Sequence, residues 1–156
     1  MSSSLPTSQH PVAGSSDWLL LCRTVRFGDT DAAGVMHFHQ LLHWCHVAYE
    51  ESLERFGVAP ELIFPAPGRT PSVALPIVHV SADYLRPLVC GDPLAISLRP
   101  ASLDGSSFEV RYSFILRGKQ AATGLTRHVA IETVSRRRTA LPEPLTRWLE
   151  ASRTEG

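Results

Sequence analysis

The chain has 156 residues, and its 15 lysines and arginines balance 15 aspartates and glutamates. That length supports one domain with a real core, hardly two. A formally neutral chain carries no electrostatic footprint for non-specific nucleic-acid binding, so no nucleic-acid partner is expected.

Residues 1–16, MSSSLPTSQHPVAGSS, lack the basic and apolar regions of a signal peptide and read as a disordered tail. Asp17–Phe27 (DWLLLCRTVRF) reads as the first strand, and residues 28–36 are turn-forming. A helix is expected from about 38 to 56, closed by Gly57 just beyond its end. At about 100° per residue, Leu41, Leu42, Cys45, Ala48, Tyr49, Ser52, Leu53 and Phe56 share one face. His39, His43, His46, Glu50 and Glu54 fall on the other.

Residues 58–72 are too rich in proline and glycine for regular structure, with a short turn expected at Pro60–Phe64. Extended segments begin with Ser72–Leu85, where Pro76 calls for a sheet edge or a bulge. Leu94, Ile96 and Leu98 alternate in the next segment. Phe108, Val110, Tyr112, Phe114 and Leu116 keep a clean period of two. Val129, Ile131 and Thr133 mark the last strand, and a short helix is expected after Pro142 with Leu145 and Trp148 inward.

One strand, one long helix and four strands give an α+β domain at 17–140, an antiparallel five-stranded sheet against one helix. Residues 141–156 read as a C-terminal tail. Ile115, Ala130 and Val134 have the opposite parity on their strands, which fits either a second copy over the other sheet face or simply a partly apolar surface. No apolar run approaches a membrane span, so no membrane partner is expected. Cys22, Cys45 and Cys90 suit free thiols of the reducing cytoplasm better than a disulfide framework.

The chemistry concentrates in residues 26–57, RFGDTDAAGVMHFHQLLHWCHVAYEESLERFG. Two aspartates and a glycine precede the long helix, whose first N–H groups can hold an anion. Taken alone, Asp31 is either a turn residue or a carboxylate working beside those donors. Asp29 reads as a cap of the turn, and Gly34 as a positive-φ or close-approach position. His39, His43 and His46 lie at i, i+4 and i+7, yet without the HExxH pattern. Structural hydrogen bonding is the favoured reading, and no metal is expected. Cys45 falls on the buried face, where burial keeps a thiol inert.

The pattern Asp29-Thr30-Asp31-Ala32-Ala33-Gly34 and the helix after it closely resemble hot-dog-fold acyl-CoA thioesterases of the 4-hydroxybenzoyl-CoA thioesterase type. The segment Tyr84–Arg86–Pro87–Gly91–Asp92 is similar to that family's next strand and turn. The resemblance covers roughly residues 20–138. Within the family, the text of 26–57 is most similar to the cyanobacterial branch that hydrolyses 1,4-dihydroxy-2-naphthoyl-CoA in phylloquinone biosynthesis.

The resemblance implies a sheet wrapped around a central helix, a homodimer pairing to a homotetramer, and no cofactor, coenzyme A being part of the substrate. It implies Asp31 as the catalytic carboxylate, acting as nucleophile or general base, and the Phe38 N–H as donor to the thioester oxygen. Val35, Met36 and His37 would then border an aromatic acyl group. Arg136, Arg137 and Arg138, with Arg86 and Arg111 behind them, are candidates for the phosphates of coenzyme A. The alternatives are a 4-hydroxybenzoyl-CoA or other acyl-CoA thioesterase, a non-catalytic acyl-CoA or acyl-carrier binding module, and a dehydratase using His37 as base.

Overall fold

The computed structural model describes residues 17–153; the predicted N-terminal tail, 1–16, lies outside them. Strand β1, Leu20–Thr24, leads through a turn region to helix α1, Phe38–Phe56. After β2, Val73–Ala74, come β3, Ile77–Tyr84, β4, Pro93–Asp104, β5, Ser107–Leu116, and β6, Lys119–Val129. A two-residue β7, Ile131–Glu132, and helix α2, Glu143–Arg153, complete the chain. The main sheet is antiparallel with order β1-β4-β5-β6-β3, and β2 pairs with β7 beside it.

Helix α1 has the predicted limits. Gly57 ends it at φ 100°, and its N–H bonds back to the Leu53 and Glu54 carbonyls. Leu41, Cys45, Ala48, Tyr49, Ser52 and Leu53 are buried as expected, while Leu42 and Phe56 are half-buried. Trp44 joins them, although one-face periodicity leaves it out. The helix is flanked on the β1 side, where Arg23 pairs with Glu51 and Arg55 donates to the Leu20 carbonyl at 2.8 Å. A wider stripe is therefore covered than the narrow face predicts.

Four expectations need correction. The first strand is five residues, not eleven, because Asp17–Leu19 form a 3-10 turn before it and, after it, the Arg26 N–H bonds Asp29 Oδ2 at 2.8 Å and draws the chain into a second 3-10 turn at Phe27–Asp29. The last long strand is β6, ten residues ahead of the expected start at Val129. Its inward positions are Ala122, Gly124, Thr126 and His128, so it shows no apolar alternation. These small and polar residues let α1 approach closely: a Cβ on Gly124 would stand 2.7 Å from Cys45 Sγ.

The outer sheet face is not apolar. Asp83, Thr123, Ser113 and Ser97 stand opposite one another across β3, β6, β5 and β4, beside Arg111 and Arg99. Of the residues expected there, Ile115 is half-buried, Ala130 is buried, and Val134 lies past β7 at 96% exposure. Exposed apolar side chains gather instead along β3 and its following loop: Ile77, Val78, Val80, Tyr84, Leu85 and Val89. Finally, the described part of the segment read as a tail, up to Arg153, packs into the core. Leu145, Trp148 and Leu149 of α2 are buried, and Trp148 Nε1 donates to Ser52 Oγ at 3.1 Å.

Pro76 precedes β3, which is an edge strand with a register shift between Ile77 and His79. Proline has no N–H for a ladder, so it sits where pairing starts or is broken.

Candidate active site

The loop from β1 to α1 is held by the turn that joins β3 to β4. Asp92 is buried; its Oδ2 accepts from the Val89 N–H at 2.9 Å, and Arg117 lies 3.3 Å from its Oδ1. Its carbonyl accepts from Val25, and Gly91, at φ 96°, donates to the Val25 carbonyl. Met36 N–H then bonds the Leu88 carbonyl at 2.7 Å. These bonds clamp both ends of residues 26–36 to the sheet.

Between the clamps the chain folds into a tight turn. Asp31 N–H bonds the Val35 carbonyl at 2.9 Å, and Gly34 N–H bonds the Asp31 carbonyl at 3.0 Å. Gly34 sits at φ 80° with open space around it, so backbone conformation and not crowding within the chain demands glycine. Asp31 Oδ1 accepts from the Ala33 N–H at 2.8 Å. Its other oxygen has no hydrogen-bond partner among the described residues, and the side chain is exposed. The residue therefore holds the turn and also presents a free carboxylate oxygen.

Helix α1 starts one residue after His37, its N-cap. His37 Nδ1 accepts from the His39 N–H at 3.3 Å and lies 2.6 Å from His39 Nδ1. His37 N–H itself bonds the Asp29 carbonyl at 2.8 Å. The first helical N–H, that of Phe38, has no acceptor among the described residues. The geometry thus offers a free carboxylate and a free helix-terminal donor on one short loop. That pairing suits a carbonyl that is attacked at carbon and gathers charge on oxygen.

Tyr84 closes the same end of the molecule. It ends β3 opposite Ala122, whose side is buried under α1. Directly opposed residues of an antiparallel pair share a face, so Tyr84 is on the helix side. Burial, followed by the charge of Asp31, raises its phenol above the ordinary value.

The other predicted site residues divide. Val35 is half-buried beside the turn, but Met36 is 2% exposed and belongs to the core. The isolated bridge Thr30–Met36 turns it inward, so it backs the wall without lining it. The Phe38 ring is 66% exposed. His37 serves as a cap within the chain. Arg86 is exposed and near the Asp31 end, its N–H bonded to the Ala121 carbonyl at 3.0 Å.

Arg111 is on the outer sheet face, 3.3 Å from Glu109, with the sheet between it and α1. Arg136, Arg137 and Arg138 are exposed on a turn that folds back on β7, with Arg136 at φ 62°. From Ala122, beside Tyr84, to Val129 the strand runs roughly 23 Å at about 3.3 Å per residue. The arginine run is at the far end of the sheet from the same chain's Asp31.

His46 Nδ1 lies 3.1 Å from Glu50 Oε1, and His39 contacts His37. Among the described residues no three metal-ligating side chains converge. Burial pushes the Cys45 thiol up to about 12, which keeps it a thiol.

Sequence reasoning missed Tyr84 as a site residue, because its alternation reads as ordinary strand. It also missed the inner chain Tyr112–Thr126–His128, with 3.0 and 2.9 Å contacts.

Known proteins are similar to this chain over most of its length. A 1,4-dihydroxy-2-naphthoyl-CoA hydrolase of Synechococcus sp. (strain WH7803) is 57% identical over 144 residues, 90% of this chain and 94% of that one. Another, from Synechococcus sp. (strain RCC307), is 61% identical over 128 residues, 82% of this chain and 98% of its own. The crystal structure of a 1,4-dihydroxy-2-naphthoyl-CoA thioesterase from Synechocystis superposes with a TM-score of 0.77 at 32% identity, covering 84% of this chain and 94% of the other. The profile of the thioesterase-like superfamily matches residues 25–149, and with these relatives it establishes that the chain belongs to the thioesterase-like superfamily and has the hot-dog fold.

Proposed function

We propose that this chain is a thioesterase that hydrolyses 1,4-dihydroxy-2-naphthoyl-CoA to 1,4-dihydroxy-2-naphthoate and coenzyme A, the step implied for phylloquinone biosynthesis. The observation that carries it is the unpaired oxygen of Asp31 on the same loop as the unpaired Phe38 N–H. The relatives' names supply the acyl group.

The Asp31 carboxylate acts on the thioester carbonyl carbon, either by direct attack or by taking a proton from a water that attacks. In both routes the carbonyl oxygen becomes an oxyanion, stabilised by the Phe38 N–H and the positive end of α1. The C–S bond then breaks and the thiolate of coenzyme A takes a proton; in the direct route a water then cleaves the Asp31–acyl anhydride, and in both routes the acid is released with Asp31 restored as a carboxylate. The reading needs no metal or cofactor; thiol release should survive chelation unchanged.

The working unit is a homodimer. Strand β3 is exposed along its length and is apolar at Ile77, Val78 and Val80, an edge that a second copy can extend. Antiparallel pairing of two β3 strands sets the Ile77 end of one beside the Tyr84 end of the other. A second copy's Arg136–Arg138 then approaches the Asp31 end, which resolves their separation within one chain. Pairing of dimers into a tetramer would use another face, for which the charged outer sheet surface is available. The three free cysteines suit a cytoplasmic enzyme, and no described helix is long and apolar enough to cross a membrane.

The test is thiol release from 1,4-dihydroxy-2-naphthoyl-CoA, 4-hydroxybenzoyl-CoA and a short alkyl-CoA, side by side. kcat/KM should fall in that order. Preference for 4-hydroxybenzoyl-CoA moves the enzyme to the benzoyl branch, and no thiol release from any ester refutes the reading.

A further inference from the structure

Tyr84 has no role in the chemistry described above, yet three observations converge on it. Its register opposite Ala122 puts the side chain on the α1 side of the sheet, at the last position of β3. It is 42% exposed, so it faces open space and not the packed core. Its hydroxyl has no hydrogen-bond partner among the described residues, although the ring lies within electrostatic reach of Asp31. A phenol beside a carboxylate stays protonated and so remains a donor.

We propose that the Tyr84 hydroxyl donates a hydrogen bond to the substrate ring oxygen ortho to the thioester, and so selects 1-hydroxylated aryl groups. The inference rests on the thioesterase reading and deepens it. Asp31 acts at the carbonyl carbon. The ortho substituent is the ring group nearest that carbon, so a donor beside Asp31 meets it before any other. The ortho hydroxyl turns its own proton toward the thioester carbonyl, which leaves its oxygen free to accept. A hydroxyl farther round the ring lies beyond this contact.

The test compares kcat/KM of the wild type and Tyr84→Phe on three esters: 1-hydroxy-2-naphthoyl-CoA, 4-hydroxy-2-naphthoyl-CoA and 2-naphthoyl-CoA. Loss of one neutral hydrogen bond should lower the preference for the 1-hydroxy ester over 2-naphthoyl-CoA about tenfold. The loss should appear mainly in KM, because the contact is made in ground and transition states alike. The other two esters should change less than about twofold. A preserved preference, or an equal loss on all three esters, overturns the proposal while the thioesterase reading stands. If the wild type releases thiol from none of the three, the thioesterase reading fails and the proposal falls with it.

Discussion

His128 should make the stability of this fold depend on pH in a defined direction. The imidazole is 1% exposed on β6, stacked at 3° on Phe108 with ring centres 4.7 Å apart, and its Nε2 is 2.9 Å from Thr126 Oγ1. Its pKa falls from 6.5 to about 4; burial is the main cause, opposed by the nearby Leu75 backbone and assisted by His46. The unfolded chain then binds a proton that the folded chain refuses between those two values. Stability is complete above about pH 6.5 and is lost as pH falls toward 4, where the loss levels off. A drop of that size is worth roughly 3 kcal/mol at about 1.4 kcal/mol per pKa unit, and roughly 2 kcal/mol of it is gone by about pH 5. Urea unfolding of the wild type and of His128→Gln between about pH 7.5 and 4.5 measures it. The variant keeps a polar group near Thr126 and should start less stable, but with a flatter slope. Equal slopes in the two proteins would refute the assignment of that slope to His128.

Other outcomes follow from the packing and the site. Gly124→Ala should destabilise the fold by about 1–3 kcal/mol, because the new Cβ meets Cys45 Sγ at 2.7 Å; Cys45→Ala in the same chain should restore most of it, and additive losses would show that the contact is not the cause. Replacing Arg136, Arg137 and Arg138 with glutamine should raise KM for acyl-CoA far more than it lowers kcat, since phosphate contacts remote from the reacting carbon bind ground and transition states alike; an unchanged KM would move the phosphate site elsewhere, with Arg86 next in line. Aspartates at Val78 and Val80 should yield an inactive monomer by sedimentation and thiol release, whereas a monomer with full turnover would remove the shared site.

Much of the site could be read from the chain because its parts are local. The DxDxxG turn, the helix start at Phe38 and its end at Gly57 each depend on neighbours within a few residues, and the structure keeps them. What could not be read depends on long-range packing. Strand β6 hides because α1 demands Ala122 and Gly124 where a periodic search wants large apolar residues. Trp44 falls outside the predicted face because burial on that side is set by β1, which is distant along the chain. Met36 looked like pocket wall until the Thr30 bridge turned it inward. The arginine run stood out in the chain as a candidate for phosphates, but its place at the opposite end of the sheet follows from strand length and topology alone.

The most direct test of the account is kcat for thiol release by Asp31→Asn. Asparagine keeps an oxygen to accept from Ala33 N–H, the bond that holds the turn at 2.8 Å, so the fold and the Phe38 donor should survive. An amide is neither a useful nucleophile nor a base. The account predicts a folded protein with kcat for 1,4-dihydroxy-2-naphthoyl-CoA reduced about a hundredfold or more. A folded Asp31→Asn protein with near-normal kcat would contradict it.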